Sequence, residues 1–185
     1  MKKIFLALLL CCVQSVFAQS DTITTSTPKS KLLKFENTIN LDKSVRCRGF
    51  DFSSGSSAIT YYPFKVLGAQ IETRGDLMLH HRGDRYWTDS FTVGGGLHAR
   101  FNVADFTKDF SEYFRIDVIA TMGASYAGDF NHTYYDGRIS FYPLDTCKDF
   151  GYTIGYRHYN MHNDAFGKYD FFYMGIVYKM NLFWL

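Results

Sequence analysis

Three observations predict the fold class. Apolar and polar residues alternate at period two through most of the chain, no apolar run is long enough to cross a bilayer as a helix, and Phe172, Tyr178 and Trp184 recur along one face of the last alternating segment. Together they predict an all-β chain, a transmembrane antiparallel up-and-down β-barrel of about eight strands. The composition fits. Of 185 residues, 46% are hydrophobic and 18% aromatic against 21% charged, with Pro 3, which excludes a disordered or collagenous chain.

The N-terminus is expected to be removed. Lys2 and Lys3 precede an apolar run from Ile4 to Val13, and Val16-Phe17-Ala18 places small residues where a signal peptidase needs them. Cleavage after Ala18 defines residues 1–18 as a signal peptide and leaves 167 of the 185 residues. A lipid-attachment reading of Cys11 or Cys12 is disfavoured because Leu10, just before them, is large. Loss of Lys2 and Lys3 lowers the basic count from 20 to 18, equal to the 18 acids, so the mature chain is neutral. A neutral chain lacks the cationic field of a nucleic-acid-binding protein. Residues 19–31 are rich in Ser and Thr and read as a mobile tether, which leaves 32–185 as the barrel domain.

The strands follow in order. In Leu67–Leu79 the face Leu67, Ala69, Ile71, Thr73, Leu77 and Leu79 opposes Gly68, Gln70, Glu72, Arg74 and Asp76. Trp87–Phe101 sets Phe91, Val93, Leu97, Ala99 and Phe101 against Ser90, Thr92, Gly94, Gly96, His98 and Arg100. Phe114–Tyr126 sets Ile116, Val118, Ala120 and Met122 against Arg115, Asp117, Ile119 and Thr121. Thr133–Tyr142 and Phe150–Asn160 repeat the theme more weakly. The last strand runs from Phe172 to Trp184. Pro63 and Pro143 stand at strand boundaries, where the missing backbone donor is harmless. One hairpin before Pro63 completes eight; its first strand is either Leu32–Leu41 or Val45–Ser53.

Alternation alone does not say which face is inside. A lipocalin-type soluble barrel turns the apolar face inward, a membrane barrel outward. The apolar face is too bulky for an eight-stranded interior, and the polar face carries Gly68, Gly94, Gly96, Gly123 and Gly175, as a crowded lumen needs. Phe172 and Trp184, twelve positions apart on one face, would lie roughly 30 Å apart along the membrane normal, the spacing of two aromatic girdles.

On these features, and on the ending Tyr178-Lys179-Met180-Asn181-Leu182-Phe183-Trp184-Leu185, the chain resembles small OmpA/OmpX-type outer-membrane barrels from Val45 to Leu185. Such barrels usually finish on Phe; here Leu185 follows an in-register Trp184. The resemblance implies localisation in the outer membrane of a Gram-negative envelope, with outer-membrane lipid, lipopolysaccharide and the barrel assembly machinery as partners, and no cofactor. It implies a structural or surface-interaction role and names no external ligand.

The expected lumen collects Glu72, Asp76, Asp117 and Asp136 with Arg74, Arg100, Arg115, Arg138, Arg157 and Lys179, a set able to interlock through charge-assisted hydrogen bonds. That network would plug the barrel. His80, His81, His132, His158 and His162 are expected near one rim, where imidazole can ligate a divalent metal, although their spacing matches no defined site. Around Tyr156-Arg157-His158-Tyr159-Asn160 the chain also resembles lipid A 3-O-deacylases, which carry a His-x-Ser-Asn pattern on a late strand. That resemblance implies catalysis at His158 with Asp164 or Asp170 as the acid. Asn160, however, occupies the nucleophile position, and a carboxamide cannot be activated as a hydroxyl can.

Arg82-Gly83-Asp84 reads as a hairpin turn rather than a recognition tripeptide, since the same triplet recurs within a strand at Arg74-Gly75-Asp76. The mature chain keeps two cysteines, Cys47 and Cys147. They can form a disulfide if the first strand is Val45–Ser53, and cannot if it is Leu32–Leu41, which puts Cys47 at the opposite end.

Overall fold

A computed structural model describes residues 35–45, 50–81, 86–103, 114–143, 149–162 and 168–180. Eight strands follow one another: β1 Phe35–Ser44, β2 Phe50–Tyr61, β3 Leu67–His80, β4 Trp87–Asn102, β5 Arg115–Gly128, β6 His132–Tyr142, β7 Phe150–Met161 and β8 Lys168–Met180. Each pairs antiparallel with its sequence neighbour, and β1 pairs with β8, so the sheet closes into an up-and-down barrel. Among the described residues there is no α-helix.

The strands after Pro63 start and stop within a few residues of where alternation puts them. The last strand begins at Lys168, four residues before Phe172, and Trp184, one of the two girdle residues, lies outside the described residues. The first hairpin is resolved in favour of the earlier placement, with β1 at Phe35–Ser44, within three residues of Leu32–Leu41. Cys47 and Cys147 lie outside the described residues. The strand ends flanking them, Ser44 and Phe50 for one and Tyr142 and Phe150 for the other, stand at opposite ends of the barrel.

The burial pattern decides which face is inside. Ile71 and Phe172 are each 68% exposed and Met122 62%, while Glu72, Asp117 and Arg157 on the alternate faces are wholly buried. A lipocalin-like barrel would show the reverse. Close approach explains the inward glycines. A Cβ on Gly96 would stand 1.9 Å from the Ala120 carbonyl oxygen, and one on Gly94 2.2 Å from the Tyr134 hydroxyl, so any larger residue would collide with the neighbouring strand or the ring crossing it. The ladder between β4 and β5 carries one irregularity at Phe91/Thr92, and β5 ends at Gly128, whose φ of 118° suits glycine.

Candidate functional site

The inner face is stacked in three storeys along the barrel axis. One end carries the start of β1 and the end of β8 (the terminus end); the other carries the β1–β2, β3–β4, β5–β6 and β7–β8 connections (the loop end).

The terminus-end storey is built around Arg115. Its two terminal nitrogens donate to the Glu36 carboxylate, each at 2.8 Å, and its Nε and Nη2 donate to Asp117, each at 2.5 Å. Arg100 adds a further bond to Glu36 at 3.0 Å and lies 3.7 Å over the Tyr62 ring. His98 Nε2 sits 3.0 Å from Asp117, and its Nδ1 is 3.1 Å from the Thr60 hydroxyl. The Lys179 ammonium lies 4.1 Å from the Tyr142 ring centre.

In the middle storey Glu72 is gripped by Arg74 and Arg138 and accepts a bond from Gln70 at 3.1 Å. The same two arginines reach Asp136, at 2.7 and 3.1 Å, and Tyr173 donates to the other Asp136 oxygen at 2.7 Å. Arg157 donates to both oxygens of Asp42 and lies 3.5 Å from Asp136; its Nη1 also donates to Ser54 at 2.8 Å. Ser54 and Tyr159 each donate to Asp76 at 2.6 Å. The guanidiniums of Arg74 and Arg157 lie over Tyr134 and Tyr173 at 4.5 and 4.3 Å, where the ring faces attract them.

The loop-end storey is aromatic. Phe52 and Phe171 stack at 4.7 Å, Tyr159 meets both edge-on, and Met78, Phe130 and Met161 fill the gaps. His132 packs between Phe130 and Tyr159, and His80 between Tyr86 and Phe50.

All ten residues expected in the lumen lie on inner faces, nine of them buried and Arg100 partly so. Two more acids join them from β1, Glu36 and Asp42, which the alternation did not reveal because the segment carries Asn37 and Lys43 on its outer face. With them, six carboxylates face six bases on the described inner faces, so the interior is electrically balanced when its histidines are neutral.

The five histidines proposed as a rim are divided. His80 and His132 face inward; His81 faces outward and contacts Asp51 at 3.0 Å; His162 follows β7, its N–H donating to the Asn131 carbonyl. His158 also faces outward. Its Nδ1 is 2.6 Å from Asp170, its register partner on β8, and Tyr156 donates to the same carboxylate oxygen at 2.6 Å. Asp164 lies outside the described residues. Among the described residues, the metal-ligand atoms that gather within 4.8 Å of one another belong to Glu36, His98 and Asp117, and Arg115 already holds both of those carboxylates. Comparison with protein-family models, with curated proteins and with solved structures finds no match.

Proposed function

We propose that the chain is an integral outer-membrane β-barrel of a Gram-negative envelope, of OmpX-like architecture, with a plugged polar lumen and a structural or surface-interaction role. The observation that carries this reading is the inverted distribution of polarity: a closed barrel with balanced charges inside and Ile71, Met122 and Phe172 presented outward. Water does not favour such an outer face, whereas hydrocarbon does. Closure leaves no unpaired sheet edge, as a lipid environment demands. Lipid and lipopolysaccharide would surround the barrel, and the envelope's assembly machinery would insert it.

The interlocking of Glu72, Arg74, Asp136, Arg138 and Arg157 beneath the aromatic storey supports the plug. Two measurements test the proposal. The protein should stay in the membrane fraction after carbonate washing, and purified barrel in planar bilayers should pass no steady ion current. Recovery in the aqueous fraction would sink the first part, and a stable conductance the second.

One observation favours a second reading, a lipid A-modifying enzyme. His158 and Asp170 form a hydrogen-bonded pair on the outer face, which leaves Nε2 available as a base toward lipid. Asn160, two residues along the same face, offers no nucleophilic hydroxyl. An acyl-chain change in lipid A that disappears with His158→Ala would establish this reading over the structural one.

A further inference from the structure

The outer face is uneven. Over β3 to β8 it is mostly bulky, with Ile71, Leu97, Met122, Ile154 and Phe172 standing proud. Across β2 and β3 it sinks into a groove of about 450 Å³ whose floor is Ser53, Gly55, Ser57, Thr73 and Gly75. Gly55 and Gly75 are register partners, so the middle of the floor is bare backbone. Ile39 and Leu41 of β1 wall one side, and Leu77, Phe91 and Tyr126 the other.

A charge stands beside each wall. Lys43 follows Leu41 along the outer face of β1, and Asp89 precedes Phe91 on β4. Among the described residues neither the Lys43 ammonium nor the Asp89 carboxylate has an ion-pair or hydrogen-bond partner; the Asp89 backbone is engaged, with Asp129 and Phe130. The two cannot satisfy each other within one chain. Lys43 pairs with Ser53, Ser53 with Leu77 and Leu77 with Asp89, which separates them by three strand spacings, roughly 14 Å.

We propose that this groove is the contact between two copies of the chain in the membrane, with Lys43 of each copy meeting Asp89 of the other. The inference rests on the membrane reading above. Two barrels inserted in the same direction can be related by a two-fold axis along the membrane normal. That axis lays the β1 wall of one copy against the β4 wall of the other, so one operation forms both charge pairs at once. Strand tilt sets Asp89 nearer the loop end than Lys43 by roughly 9 Å, a height that the lysine stem and the aspartate side chain must span together. Small residues on the floor let the two backbones approach closely, as small residues do at other intramembrane contacts. A lipid fits the groove less well. An acyl chain would fill it but leave both charges unmatched beside hydrocarbon, and an anionic headgroup that met Lys43 would be repelled by Asp89.

Zero-length carbodiimide coupling in outer-membrane vesicles tests the contact directly, because it joins an amine to a carboxylate only where they touch. Wild-type protein should give a cross-linked dimer whose joined peptides contain Lys43 and Asp89. K43D alone and D89K alone should each lose it. Co-expression of K43D with D89K should restore it, because both contacts then pair opposite charges again. Membrane retention of every variant is read in parallel, and K43Q and D89N replace any charge reversal that is not recovered there. A membrane-retained wild type with no such cross-link overturns the dimer and leaves the membrane reading standing, as does a cross-linked dimer unaffected by either reversal. A wild type recovered in the aqueous fraction overturns the membrane reading itself.

Discussion

Asp42 and Arg157 are 115 residues apart in sequence, yet their side chains meet in a two-pronged ion pair inside the barrel, at 3.2 and 3.0 Å. The contact crosses the lumen from β1 to β7, two strands that are not neighbours in the sheet. Both groups are fully buried, so neither can turn to water if the other is lost.

Arg157→Met is therefore expected to destabilise the barrel by about 3–5 kcal/mol, the cost of leaving a buried charge without its counterpart. Arg157→Met combined with Asp42→Asn should cost clearly less than the two single changes added together. Urea titration of protein refolded in lipid vesicles measures both. Strictly additive costs would show that the pair is not coupled.

Glycine positions separate crowding from mere smallness. Gly96→Ala places a methyl group 1.9 Å from a backbone oxygen of β5, which must move, and a cost of about 1–3 kcal/mol is expected. Gly137→Ala meets nothing within 4 Å and should stay within about 0.5 kcal/mol of wild type. The same urea titration compares them, and equal effects would contradict the close packing of β4 against β5.

The outer face offers a test of its solvent. Met122, midway along β5, is 62% exposed. Met122→Arg should cost about 2–4 kcal/mol if that position meets hydrocarbon and almost nothing if it meets water. Stability measured in vesicles distinguishes the two outcomes.

Cys47 follows β1 by three residues and precedes β2 by three, and each residue reaches at most about 3.6 Å. The strand ends beside Cys147 are at the other end of a barrel about 25 Å tall in its apolar band. If the chain is cleaved after Ala18, the denatured, unreduced protein should therefore titrate with two free thiols per chain. Fewer thiols would indicate a bond that this strand placement does not accommodate.

Alternation made β3, β4, β5 and β8 legible because the middle of each outer face is mostly apolar, and left β6 and β7 fainter because they turn Thr133, His158 and Asn160 outward. It failed in the first hairpin for a physical reason. β2 turns Ser53, Gly55 and Ser57 outward and Phe52 inward, where that ring stacks on Phe171, so its polarity runs against the rule at the loop end. Glu36 and Asp42 were hidden with it. The aromatic storey was equally unreadable. Tyr134, Tyr159 and Tyr173 sit on inner faces because their hydroxyls or ring faces serve the buried charges, a tertiary relationship with no local signature. His158 and Asp170 were both visible as candidates, but their pairing depends on the register between β7 and β8.

Seven of the eight strand pairings join segments adjacent in the chain, and only the pairing of β1 with β8 joins its two ends. The ion pairs of β1 follow a different geography: Glu36 reaches β4 and β5, and Asp42 reaches β7. A partly assembled sheet can therefore have nearly all its backbone ladder while Glu36 and Asp42 still lack their arginines. Satisfaction of the interior is postponed to the final seam, which ties burial of these carboxylates to closure of the barrel and leaves a half-built sheet with unmatched charges.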